Sequence, residues 1–142
     1  MTNSDRPRTS WPTLMATAVV LVVAFAYYTS FVDYGFNRED EGTLLVQFWR
    51  WSTGAVPYRD FHMGYTPGVH FLHKTLMQWF GPSLMPGRWL LCVVNTLSAT
   101  TLFVVASRLT GSWKWGLLAP FLFMAWVPVH PGQFASFNIP YP

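Results

Sequence analysis

At 142 residues, 51% hydrophobic and only 11% charged, the chain falls well below the roughly 25% charged content of soluble domains and points to a membrane protein. Its net charge of +3 arises from nine Lys and Arg scattered singly among aromatics, which excludes the clustered basic face of a nucleic-acid binder. One cysteine, Cys92, excludes an internal disulfide framework and a CxxC-type zinc site.

Taken in order, residues 1–10 are polar, carry Arg6 and Arg8, and have too few apolar groups to fold alone. Residues 11–32 are read as the first transmembrane helix, because Trp11 to Phe31 is free of charge and long enough to cross a hydrocarbon core of about 30 Å. A cleaved secretory signal is the rival reading, with Ala24-Phe25-Ala26 as a small-x-small site. The apolar run exceeds the roughly 7 to 15 residues of a signal core, so the anchor reading is preferred.

Residues 33–88 form a long loop, and its polar stretch from Asn37 to His62 holds four of the six acidic residues, Glu39, Asp40, Glu41 and Asp60. Charge beside a bilayer calls for water, a metal or a charged ligand, so the cluster marks a candidate site. Thr43 to Trp51 places Leu44, Leu45, Phe48 and Trp51 at helical spacing, which predicts a short amphipathic helix lying along the membrane surface. It should end near Gly54, before Pro57. A second amphipathic helix opens at Thr66-Pro67, a cap followed by a proline suited to the first helical position. Its expected apolar stripe is Val69, Leu72, Leu76 and Trp79, and Gly81-Pro82 closes it.

Residues 89–107 form the second span, 108–114 a cytoplasmic turn and 115–130 the third span, with Pro120 and Pro128 kinking it or marking its ends. Residues 131–142 are an external tail. Arg6, Arg8, Arg108 and Lys114 gather on one face, which places the N-terminus inside and the acidic loop outside. The fold class expected is therefore an all-α membrane protein of three transmembrane helices, whose long first external loop bears two membrane-parallel amphipathic helices.

Ionised carboxylates at a helix start can accept a proton, hold a divalent cation or stabilise a cationic transition state. All three serve glycosyl transfer, in which the sugar gains oxocarbenium character. The plainer account is that Asn37 caps the helix and Glu39, Asp40 and Glu41 complement its dipole. His62, His70 and His73 invite a metal reading, but a pair at i, i+3 without a defined third ligand is equally an interfacial feature. Arg59 suits a phosphate through its fork of donors, or contacts lipid headgroups by snorkelling.

Asp40-Glu41-Gly42, Gly54-x-Val56-Pro57-Tyr58-Arg59-Asp60-Phe61, Tyr65-Thr66-Pro67-Gly68, Phe80-Gly81-Pro82-Ser83 and Arg88 occur in that order. The series resembles the N-terminal part of GT-C superfamily glycosyltransferases, in the bacterial branch akin to protein mannosyltransferases and aminoarabinose transferases. The resemblance implies a partial GT-C fold in the bacterial inner membrane. It also implies inverting transfer of a sugar from a polyprenyl-phosphate-linked donor to an acceptor on the external face. By motif position, Asp40 is the implied catalytic base and Glu41 its companion, with Glu39 the fallback. Arg59, His62 and Tyr65 are the implied substrate-binding residues, and a divalent metal held by Glu39, Asp40 and Glu41 is the implied optional cofactor. Many relatives carry Lys-Pro-Pro where this chain has Tyr65-Thr66-Pro67, and members are much longer with more spans. The expectation is therefore a fragment that lacks the helices enclosing the lipid donor.

A non-catalytic three-span accessory or binding protein is the alternative, with the loop as partner surface. A small transporter is disfavoured because the later spans carry no charged residue in their interiors. Asn95, Thr96 and Ser98 more simply mediate helix packing.

Overall fold

The computed structural model describes residues 11–33, 40–63 and 67–126, with the side chains of Asp40, Glu41 and Val69 outside that description. Within it every regular element is a helix: α1 Trp11–Thr29, α2 Asp40–Ser52, α3 Pro67–Phe80, α4 Met85–Thr110, α5 Trp113–Gly116 and α6 Leu118–Trp126. Two compact units result, one from 11–30 with 92–126 and the other from 31–33, 40–63 and 67–91. The N-terminal tail, the capping Asn37 and the tail 131–142 lie outside the described residues.

Two helices, α1 and α4, are long and apolar enough to cross a membrane. Their apolar windows are only 22% and 28% buried, far less than a helix in a soluble core. In α1 the buried side chains are Val20, Ala24 and Tyr28, one narrow stripe, while Leu14, Met15, Val19 and Val22 are exposed. At 26 residues α4 extends about 39 Å. Several threonine hydroxyls in these helices bond their own backbone, as Thr96 does to the Cys92 carbonyl at 2.7 Å and Thr100 to that of Thr96 at 2.8 Å. Such bonding lets Thr sit in an apolar helix without an orphaned donor.

The second span begins at Met85 rather than Trp89. Ser83 Oγ accepts from the Met85 N–H at 3.2 Å, and Pro86 falls in the first turn, where a missing N–H is harmless. Arg88 is thus inside the helix rather than flanking it. It is buried, and its Nη1 donates 3.0 Å to the Val32 carbonyl.

The segment expected as one span from 115 to 130 is divided. Helix α5 ends at Gly116, Leu117 is a turn, and α6 follows, with 127–130 outside the description. Pro120 is the physical reason, because it cannot donate to the Gly116 carbonyl four residues back. The nine residues of α6 cover about 14 Å. Gly116 sits against α4, where a Cβ would come within 2.9 Å of Ser107 Cβ.

In the other unit, α2 and α3 pack on each other around Leu44, Phe48, Met77 and Leu91, with Leu45 and Leu84 alongside. Gly54 at φ 105° and Gly81 at φ 85° take the left-handed conformation that ends both helices without a Cβ clash. The face α3 buries differs from the expected stripe. His70, His73 and Met77 point inward, whereas Leu72 and Trp79 are exposed and Leu76 is half-buried. The Phe48 ring decides this, stacking on His73 at 4.8 Å and meeting His70 edge-on at 5.1 Å. The apolar stripe of α2 is meanwhile used inside the pair, since Leu44 and Phe48 are its buried residues.

Candidate functional site

The loop after α2 is tightly self-bonded. Asp60 N–H donates to the Val56 carbonyl at 2.9 Å, Tyr58 N–H to that of Phe61 at 2.9 Å, and Val56 N–H to Asp60 Oδ2 at 2.8 Å. Closing so short a loop puts Tyr58 at φ 64°, a left-handed conformation that costs an ordinary residue about 1–2 kcal/mol. Arg59 grips Asp60 through Nε to Oδ1 and Nη2 to Oδ2, both 2.9 Å. That bond, and then the Val56 N–H, lower the Asp60 carboxyl from 3.8 to about 2. Arg59 is correspondingly held protonated by Asp60.

Arg50, in the last turn of α2, reaches back over the same loop. Its Nη2 donates 3.0 Å to the Asp60 carbonyl, and its guanidinium lies 5.3 Å from the Phe61 ring centre. Together they wall a depression of about 460 Å³ lined also by Gly42, Thr43, Val46, Gln47 and His62. The face of α2 that lines it runs alongside the one that buries Leu44 and Phe48. Gln47 Oε1 is buried there without a hydrogen-bond partner among the described residues.

The sequence-based site residues are distributed unevenly around this depression. Asp40 and Glu41 open α2 immediately before Gly42, and His62 is exposed on the wall. Arg59 is not among the lining residues, since its fork is filled by Asp60. Glu39 and Tyr65 lie outside the described residues, so the proposed carboxylate metal set does too. Among the described residues no group of three His, Cys, Asp or Glu could hold a metal ion, so His62, His70 and His73 form no such set. Arg50 and Gln47 were missed by the sequence reading. Their signal was present, because Thr43, Gln47 and Arg50 at i, i+4 and i+7 share one helical face alongside the apolar stripe.

Comparison of the chain with protein-family models, curated proteins and solved structures finds no match.

Proposed function

We propose that the chain belongs to a membrane glycosyltransferase, transferring a sugar from a polyprenyl-phosphate-linked donor to an acceptor on the external face with inversion. Asp40 is the base that takes the acceptor proton, and Glu41 stands beside it. The observation that carries this reading is the depression beginning at Gly42 and Thr43, directly after Asp40-Glu41 and lined by Arg50 and His62. Within the reading, α1, α4 and the 115–130 segment lie in the bilayer of the inner membrane with the N-terminus cytoplasmic. Helices α2 and α3 lie along its surface, α3 turning Leu72 and Trp79 to the lipid. A divalent metal remains a proposed cofactor on Glu39, Asp40 and Glu41, with no step assigned to it.

The test is reconstitution of the full-length protein that carries this sequence in lipid vesicles with a labelled polyprenyl-phosphate sugar and candidate acceptors. Transfer with inverted anomeric configuration supports the reading; a donor that stays intact under every acceptor rejects it.

A non-catalytic membrane accessory protein is the second reading. It is favoured by the position of Asp40 and Glu41 in the first turn of α2, where the helix dipole stabilises carboxylates without any catalytic role.

A further inference from the structure

In the unit built from residues 11–30 and 92–126, the described residues include two cations, Arg108 and Lys114, and no carboxylate. Both cations stand at the turn between α4 and α5. The turn is fixed by its own bonds, since the Thr110 hydroxyl donates 2.8 Å to the Ala106 carbonyl and accepts from the Ser112 N–H at 3.4 Å. Gly111 at φ 67° supplies the left-handed step that reverses the chain. Gly116 then sits directly against Ser107, which draws their chain neighbours Arg108 and Trp115 to one end of the unit. Cys92 Sγ meets the Tyr28 carbonyl at 3.5 Å and α5 touches α1, so α1 and α4 run antiparallel. Exposed Trp11 therefore starts α1 at this same end.

Both cations are exposed, as are Trp113, Trp115 at 70% and Leu109 at 83%. The Lys114 ammonium lies 5.9 Å from the Trp113 ring centre, at the outer limit of a cation–π contact, and its donors face outward. Indole rings beside basic side chains suit the level where headgroups meet acyl chains.

We infer that this end of the unit binds the headgroup of a phospholipid of net negative charge, with Arg108 and Lys114 donating to its phosphate and Trp113 and Trp115 lying at its ester level. A planar guanidinium meets two phosphate oxygens at once, and an ammonium adds a point charge. A zwitterionic headgroup brings an ammonium of its own, which the two cations repel and for which the described part of the unit holds no carboxylate. Negative lipids are thereby preferred. From the proposed function the inference takes only that these helices cross a bilayer. It involves neither a sugar nor the region of Asp40, so failure of the two readings is distinguishable.

The experiment is native mass spectrometry of the full-length protein that carries this sequence, in neutral detergent, titrated with dioleoyl phosphatidylglycerol. Dioleoyl phosphatidylcholine and glycerol 3-phosphate form parallel arms. A saturable phosphatidylglycerol site is expected, weaker for phosphatidylcholine and absent for glycerol 3-phosphate. Arg108→Gln and Lys114→Gln each weaken it about fivefold and together about twentyfold, the scale for basic side chains at an anionic lipid surface. Arg108→Lys, which keeps the charge, retains most of the affinity, and circular dichroism shows the helix content of every variant unchanged. Lys74→Gln, a cation of the other unit over Trp51 and Phe71, leaves binding as it was. Wild-type phosphatidylglycerol affinity in the Arg108→Gln, Lys114→Gln double variant overturns the site. Equal affinity for phosphatidylcholine overturns its preference for negative charge, and equal affinity for glycerol 3-phosphate overturns its lipid part.

Discussion

Arg59 and Asp60, neighbours in sequence, clasp each other through two N–H···O contacts of 2.9 Å at the tip of the loop beside α2. The folded carboxyl titrates near 2 against an ordinary 3.8. Because the folded value is the lower one, the stabilisation is complete above about pH 4 and is lost as pH falls from there toward 2. Amide exchange in residues 56–61 should therefore be flat from pH 7 to about 4, after correction for intrinsic rates, and loosen below that. Asp60→Asn should abolish the acid step. The effect will be modest, because the pair is exposed and screened.

The Tyr27 hydroxyl donates 3.1 Å to the Met124 carbonyl. Four residues beyond Met124 stands Pro128, which has no N–H to offer that carbonyl. Tyr27→Phe should thus lower stability by roughly 0.6–2 kcal/mol, the range for such bonds in membrane proteins. An unfolding titration in mixed micelles checks this, and an unchanged midpoint would show that the carbonyl finds another donor.

At Gly116 an added Cβ would lie 2.9 Å from Ser107 Cβ and 3.0 Å from its Cα, with Oγ nearer still. Backbone cannot yield as a flexible side chain can, so Gly116→Ala should cost about 1–3 kcal/mol by overpacking. Adding Ser107→Gly should restore part of the loss, since it removes both side-chain clashes and leaves only the close approach to the backbone of residue 107. Thermal midpoints of the single and double variants measure both effects.

Phe48 is fully buried between α2 and α3. Phe48→Ala removes the ring on which His73 stacks and should destabilise this unit by about 3–5 kcal/mol. Amide protection should fall throughout α2 and α3 together, whereas a loss confined to α2 would mean the two helices do not depend on this contact.

The helices were legible where punctuation and hydropathy agree. Charge-free runs mark α1 and α4, and the Gly54 and Gly81 stops fall where left-handed conformations occur. Helix α3 was harder, because hydropathy assumes that apolar residues turn inward. Here the inward positions opposite Phe48 are His70, His73 and Met77, and Leu72 and Trp79 remain outside. In the proposed function α3 lies along a bilayer surface, where an exposed apolar face has a favourable environment and the usual inside-outside rule loses its force. The broken segment at Leu117 was half legible, as Pro120 announced a break but not on which side. At the candidate site, motif order pointed to Arg59, whereas only the folded loop shows that Asp60 fills it and leaves Arg50 on the depression. The side chains of Asp40 and Glu41 lie outside the described residues, so their roles still rest on the sequence.

The most direct measurement is the initial rate of sugar transfer by Asp40→Asn in the full-length protein that carries this sequence, compared with the unaltered protein in the same lipid vesicles. Loss of a general base predicts a fall of roughly 10²–10⁴-fold, with membrane insertion and helix content unchanged. Transfer at the unaltered rate would contradict the assignment of Asp40 and with it the mechanism proposed for this chain.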